Sequence, residues 1–140
     1  AGLVLTTLPE ELPVTELNEL HSAAREAGVP TALTVLNQMP VNPFRRSSAG
    51  EFRQSRRNAA WRRRALAAFG SEAALEAAVA VADVAAQRHR LARALERRLR
   101  KSVPLPMARL PALAECVRGR QELDRIMDKL GSELRRKGML

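Results

Sequence analysis

The first 37 residues alternate between apolar runs and a helical pattern, and this alternation limits the folds that the chain can adopt. Residues 2–7, Gly-Leu-Val-Leu-Thr-Thr, form an apolar and β-branched run that stops before Pro9, which is typical of a buried strand. Residues 13–27 place apolar side chains at helical spacing, and Gly28 ends that pattern. Residues 31–37, Thr-Ala-Leu-Thr-Val-Leu-Asn, predict a second strand. This order predicts a βαβ unit with two parallel strands.

Both predicted strands consist almost entirely of apolar or β-branched residues, without the alternation of a half-exposed strand. Strands of this kind belong to parallel sheets that helices cover on both faces. Two or three of them do not make a stable sheet by themselves. We therefore expect the visible strands to be the last strands of a larger α/β sheet. The chain is then a piece of a longer protein, or a partner completes it.

A mainly helical region begins at Pro40. Its first part, residues 40–50, is rich in Pro, Ser and Gly and predicts a loop. Residues 51–69 predict a helix, and Ser71 suits the N-cap of the helix that follows. Residues 72–100 predict a long Ala-rich helix with a stripe of leucines on one side and arginines beside it.

The last part of the chain predicts one more strand and one more helix. Apolar residues alternate over residues 102–107, and Pro104 implies either an edge strand or the end of a strand, because proline cannot donate to a neighbouring strand. A final helix is predicted over residues 118–130, with Gly131 as its cap. The patterns divide the chain into a βαβ unit over residues 1–39, a basic helical region over residues 40–101, and a final strand with a C-terminal helix over residues 102–140.

The formal net charge of +9 is concentrated in the helical region. Residues 45–64 carry eight arginines against one glutamate, and residues 88–101 carry six arginines and one lysine against one glutamate. These clusters and Trp61 favour, as an alternative, a binding module for nucleic acid or an acidic protein partner. Arginine-rich helices are more commonly solvated faces, and a lone Trp on a helix more commonly packs in a core.

Residue content argues against several classes of site. Cys116 is the only cysteine, which excludes an internal disulfide and a CxxC metal site and favours a reducing, cytoplasmic setting. His21 and His89 have no partners at metal-ligand spacing. No apolar run reaches the roughly 20 residues needed to span a bilayer, and the N-terminus lacks the basic leader of a signal peptide. We expect no metal site and no membrane span.

Four landmarks along the chain occur in the order found in one family of ATPases. They are Leu-Thr-Thr-Leu-Pro-Glu-Glu-Leu-Pro-Val-Thr-Glu at residues 5–16, Val-Leu-Asn-Gln at residues 35–38, Leu-Pro-Met at residues 105–107 and Arg-Gly at residues 118–119. Together they resemble the C-terminal half of the arsenical-pump and tail-anchored-protein-targeting (ArsA-type) P-loop ATPases. The resemblance implies a parallel P-loop NTPase sheet, ATP with Mg²⁺ as the cofactor, and a homodimer of the complete protein.

The resemblance also assigns roles to particular residues. It implies that Asn37 reads the edge of adenine, with Gln38 beside it, and that the backbone around Pro106 and Met107 lines the base. Glu10 is expected to face the nucleotide or the dimer partner, or alternatively to be a surface carboxylate, and the alternative for Gln38 is a solvated side chain. An Asn amide offers the donor and the acceptor that match adenine, and ligands of open α/β sheets lie beyond the carboxyl ends of strands, where all these residues are expected. Alternatively, Asn37 caps a turn, and Pro106 and Met107 only shape an edge strand.

The chain departs from the family in its phosphate chemistry. No G-x-x-x-x-G-K-[ST] sequence occurs in it, so it lacks the backbone cradle for the β- and γ-phosphates and the hydroxyl that holds Mg²⁺. Those ligands are expected outside this chain, in a missing N-terminal half or in a Walker-A-bearing partner chain, and the chain alone is predicted to be inactive. The zinc-binding CxxC of eukaryotic members is also absent, so no zinc-clasped dimer is expected. The sequence does not specify the cargo.

Overall fold

The computed structural model describes residues 2–44, 49–113 and 119–139. The predicted α/β class is confirmed: this part of the chain forms a three-stranded parallel sheet and five helices. In chain order the elements are β1 (Leu3–Thr7), α1 (Glu11–Glu26), β2 (Thr31–Met39), α2 (Ala49–Ser55), α3 (Ala59–Phe69), α4 (Glu72–Ser102), β3 (Met107–Pro111) and α5 (Arg120–Arg136). Cys116, Arg118 and residues 45–48 of the predicted loop lie outside the described residues.

The chain forms two compact units. The first, the sheet unit, comprises Ala1–Pro40 and Leu91–Leu140, and the second, the helical unit, comprises Val41–Arg90. The last third of α4 therefore packs within the sheet unit, although its sequence resembles that of the helical region predicted over residues 40–101.

The predicted βαβ unit is confirmed. β1 and β2 are parallel neighbours, and Leu5 of β1 lies opposite Thr34 of β2. The amphipathic pattern of α1 buries Val14 and Leu17 in one core with Leu5. Gly28 turns the chain after α1 with a φ of 69°, a conformation that glycine adopts without a steric cost.

β2 is the central strand of the order β1-β2-β3 and is buried on both faces. On one face Leu36 packs with α1 and with the last third of α4, where Leu95 and Leu99 are buried. On the other face Leu33 and Val35 pack with the C-terminal half of α5. Full burial of each such side chain contributes roughly 1.5–3 kcal/mol, so these two cores hold the sheet between its helices.

The last strand begins where the sequence predicted it to end. The prediction of a strand over residues 102–107 is wrong. β3 is Met107–Pro111, and Val103 is instead a buried core residue. Pro104 and Pro106 lack the N–H groups that a ladder needs, and pairing starts only where the Thr34 N–H donates to the Pro106 carbonyl at 2.9 Å. β3 is an edge strand, as predicted.

The helix predicted over residues 51–69 is two helices, α2 and α3. Asn58 begins the second one, since its Oδ1 accepts hydrogen bonds from the backbone N–H groups of Ala60 and Trp61 at 2.9 and 3.2 Å. Trp61 packs edge-on against Phe52, with ring centroids 5.8 Å apart, so it is a packing residue of the helical unit. Ser71 caps α4 as predicted, because its Oγ accepts a hydrogen bond from the Ala74 N–H at 3.1 Å.

The C-terminal helix is longer than predicted. α5 continues through Gly131 to Arg136, because Leu130 and Leu134 on either side of this glycine pack together against the sheet. The burial of these side chains outweighs the roughly 1 kcal/mol that a glycine costs inside a helix.

No single helix of the described residues is long and apolar enough to cross a bilayer. α3 and α4 satisfy that criterion of length and composition only as a pair, which is bent by 103° between them.

Candidate functional site

A cavity of about 320 Å³ opens at the carboxyl ends of β1 and β2, beside the first turns of α1. It lies within the sheet unit, at the edge of a parallel sheet where open α/β folds bind their ligands. The cavity is lined by Thr6, Thr7, Leu8, Pro13, Glu16, Leu17, Leu20 and Asn37.

α1 forms one wall of this cavity. Pro13, Glu16 and Leu20 lie three and four residues apart and therefore share one stripe of the helix. β1 forms the floor with its last two residues, and the hydroxyl of the buried Thr7 donates a hydrogen bond to the Leu8 carbonyl at 3.2 Å. The walls are thus mostly apolar, with a few polar groups at fixed positions.

Asn37 enters the cavity from a β-bulge in β2. The register of β2 against β3 shifts between Leu36 and Met39, and Gln38 within this shift has a φ of 54°. The Gln38 N–H donates a hydrogen bond to the Asn37 Oδ1 at 2.9 Å. This bond fixes the Asn37 amide. A second lone pair on Oδ1 remains, and so do both amide N–H donors, which make no hydrogen bond within the described part of the chain.

The charge of the lining residues decides what kind of group the cavity suits. None of them is basic, and Glu16 is a carboxylate. A phosphate would meet no positive partner there and would be repelled by Glu16. An uncharged, flat, hydrogen-bonding group between apolar walls fits this arrangement better.

The other residues predicted for the site are not brought together with Asn37. Gln38 is exposed and lies outside the lining, although it shapes the bulge. Glu10 is also exposed; it holds the N-cap position of α1 without a side-chain capping bond and is not a lining residue.

The expectation that Pro106 and Met107 follow a strand at the same edge is wrong. Met107 is the first residue of β3, lies opposite Thr34 and is fully buried. Because β3 runs parallel to β2 and Met107 pairs with Thr34, both residues lie at least three residues from Asn37 in the direction of the amino ends of the strands. Pro104 and Pro106 were predicted to lie within or at the end of a strand, whereas both precede β3.

Residues 111–113 take the position that the sequence assigned to Pro106 and Met107. β3 ends at Pro111, and the Ala112 N–H continues the ladder by donating a hydrogen bond to the Met39 carbonyl at 2.9 Å. The apolar-Pro pattern that marked residues 105–106 occurs again at residues 110–111. This repetition is the signal that finds the true carboxyl end of β3.

A second cavity, of about 680 Å³, lies in the helical unit and is lined by Gly50, Gln54, Arg56, Arg57 and Arg62. Its charge is largely balanced. Arg56 lies 3.7 Å from Glu76 and 3.5 Å from Asp83, and Arg62 pairs with Glu72. These pairs join the helices of the unit to each other, which is a structural role.

Within residues 2–44, 49–113 and 119–139, no three His, Cys, Asp or Glu side chains converge in a way that would hold a metal ion. No protein-family model matches the chain, and no curated protein matches it.

Proposed function

We propose that this chain is the adenine-binding, C-terminal portion of an ArsA-type ATPase. The observation that carries the proposal is the cavity at the carboxyl ends of β1 and β2, where the fixed Asn37 amide faces apolar walls and no cation. The order of the sequence landmarks supports it. In this proposal a Walker-A-bearing portion or partner chain supplies the ligands of the phosphates and of Mg²⁺, and this chain alone does not hydrolyse ATP.

The chemistry of Asn37 fits the edge of adenine. Its amide donors suit a ring nitrogen, and the free lone pair of Oδ1 suits the exocyclic amino group. Leu8 and Leu20 offer apolar surface to the faces of the base. The volume of about 320 Å³ is at the lower end of the range of ligand sites and suits a base better than a whole nucleoside triphosphate.

The two edges of the sheet differ in a way that supports completion by a further strand. At the β3 edge, Arg109 and Pro111 alternate with the residues that bond β2 and so direct their backbone groups outward. Pro111 has no N–H, and the backbone N–H of Arg109 faces Glu133 of α5, where it helps to hold the pKa of that carboxyl below its usual value. This edge is therefore poorly suited to pairing.

The β1 edge is open by comparison. Leu3 and Val4 of β1 are 42% and 55% exposed, although parallel strands are normally buried on both faces. Val4 lies opposite Leu33, on the face that α5 covers only over the other strands. A strand and a helix added here would cover Val4 and lie beside the cavity. The complete protein is thus proposed to be a cytoplasmic P-loop ATPase that dimerises.

The proposal is tested by titrating adenosine and inosine into the chain in a calorimeter. Asn37→Ala is expected to weaken adenosine binding by about 1–3 kcal/mol, because a hydrogen-bonding site loses its partner. Asn37→Asp keeps the acceptor for the Gln38 N–H but loses both donors, and is expected to bind as weakly.

Asn42→Ala is the matched control. Asn42 also accepts a hydrogen bond from a backbone N–H, that of Phe44 at 3.0 Å, but it lies outside the cavity. The control should leave the affinity unchanged. Equal affinities of the wild type and Asn37→Ala, or equal binding of adenosine and inosine by the wild type, would overturn the role of Asn37.

A further inference from the structure

Five arginines surround the β3 edge of the sheet unit, where α4, β3 and α5 meet. We call this surface the arginine ridge; it comprises Arg93, Arg97, Arg100, Arg109 and Arg136. The cation-rich sequence of the chain gives no reason by itself to single these residues out. Their arrangement around one buried and one partly buried carboxylate does.

Glu96 is the first of these carboxylates and is only 3% exposed. It pairs with Arg93, accepts hydrogen bonds from Arg100 at 2.8 and 3.0 Å, and lies 3.8 Å from Arg109. The three guanidinium-bearing side chains remain 30–39% exposed. A buried anion beneath exposed arginines fixes their positions and leaves their outer N–H groups available to a ligand.

Glu133 has the same role on the α5 side. It accepts hydrogen bonds from Arg136 at 2.7 and 2.9 Å, and the nearby charge of Arg109 also lowers the pKa of this carboxyl. Its side chain is also largely buried. The ridge therefore carries five guanidinium groups and two carboxylates, and the carboxylates are less exposed than the guanidinium groups. The charge that it presents to solvent is positive.

Arg97 also belongs to the ridge, although it forms no ion pair with Glu96 or Glu133. It is exposed, lies four residues after Arg93 and three before Arg100, and so shares their side of α4. It forms no ion pair with any described residue. Its charge is thus uncompensated.

The shape and chemistry of the ridge select one partner class. Helical rise places Arg93 and Arg100 about 10 Å apart along α4, comparable with the axial length of four successive phosphates of a duplex strand, at about 3.4 Å per step. No aromatic residue belongs to the ridge, so it lacks the stacking platforms of single-strand binders. The exposed Leu91 lies on nearly the opposite side of α4, so the ridge offers no apolar surface for membrane insertion.

We propose that the arginine ridge binds the phosphate backbone of double-stranded nucleic acid without reading its bases. This inference is independent of the adenine site, which lies at the carboxyl ends of β1 and β2. Fluorescence anisotropy of a labelled 20-bp duplex, measured over a series of salt concentrations, tests it. The expected logarithmic salt slope is about −3 to −4, because each neutralised phosphate contributes about −0.9.

Two adjacent arginines give a matched pair of variants. Arg97→Ala is expected to reduce the size of the slope by about 1 and to weaken binding several-fold at physiological salt. Arg98→Ala removes the same charge from the same helix, but Arg98 faces α1, where it pairs with Glu11 and donates a hydrogen bond to Thr15. It should change binding less than twofold. Circular dichroism melting of both variants confirms that they are folded.

Two results would overturn the inference: no duplex binding at low salt, or equal losses in Arg97→Ala and Arg98→Ala. Vesicles that contain anionic lipid, titrated in the same assay, test whether the ridge binds the phosphates of a membrane surface instead of those of a duplex. Tighter binding to vesicles than to the duplex, with the same dependence on Arg97, would assign the ridge to a membrane surface and contradict the proposal. Adenosine binding should be the same in both variants, so failure here leaves the adenine site untouched.

Discussion

Gln38 holds a backbone conformation that its residue type disfavours. Its φ of 54° lies in the left-handed region, and it is the one non-glycine residue with a positive φ in the described ranges. This conformation costs roughly 1–2 kcal/mol for a residue with a Cβ atom. Because the same bulge directs Asn37 into the cavity, strain and candidate site coincide, as they often do at functional positions.

Gln38→Gly is therefore expected to raise the free energy of unfolding by up to about 1 kcal/mol, since glycine relieves the strain but loses more chain entropy. Gln38→Val should lower it by at least about 1 kcal/mol, because a β-branched residue tolerates this region worst. Urea unfolding measures both. A glycine variant no more stable than the wild type would mean that Gln38 is not strained in solution.

At the scale of single elements, the carboxylate of Glu133 links α5 to its neighbours through its charge and hydrogen bonds. Burial by itself raises the pKa of Glu133. The hydrogen bonds and charge of Arg136, together with the charge and backbone N–H of Arg109, more than compensate and hold the pKa below the usual value. A carboxyl with a depressed folded-state pKa contributes stability above its unfolded pKa and loses that contribution as pH falls through the folded pKa.

Glu133→Gln should accordingly lower the free energy of unfolding by about 1 kcal/mol at neutral pH. The difference between this variant and the wild type should disappear in acid, once Glu133 itself is protonated. Asp128→Asn removes a charge from the exposed side of the same helix and should show no such loss at neutral pH. If Glu133→Gln lowers the free energy of unfolding by the same amount at pH 7 and at pH 3, Glu133 does not act as an ionised hydrogen-bond acceptor.

The elements differed in how far sequence predicted them, for physical reasons. β1, α1 and β2 were placed correctly by their apolar patterns, although Leu3 and Val4 of β1, which was predicted as a buried strand, are exposed. The break at Asn58 was missed since a cap depends on one hydrogen-bonding residue and leaves the apolar pattern intact. β3 was misplaced because alternation over residues 102–107 looks like a strand, whereas Pro104 and Pro106 leave it without donors.

The candidate site was predictable only in part. Asn37 was predicted from the resemblance to the ATPase family, and the structure places it in the lining of a cavity. Its partners in the lining, such as Pro13 and Leu20, could not be found, since they come from the side of α1 and depend on how the helix packs on β1. The grouping of Arg93, Arg100 and Arg109 around Glu96 likewise depends on the register of β3.

At the scale of the whole molecule, the two proposed activities lie in different places of the sheet unit. The cavity lies at the carboxyl ends of β1 and β2, and the arginine ridge surrounds the outer edge of β3. The cavity offers no cation to a phosphate, whereas the ridge offers five. In the proposed ATPase, the phosphate-binding loop would lie at the open β1 edge, beside the cavity.

The affinity of this chain for adenosine compared with ATP, at physiological ionic strength, tests the central claim most directly. An adenine site without a phosphate cradle predicts that adenosine and ATP bind within about threefold of each other, since a threefold change is only about 0.65 kcal/mol. Binding should also be nearly independent of salt. No binding of adenosine, or competition with bound adenosine that strengthens with each phosphate of the nucleotide and weakens steeply with added salt, would contradict the account.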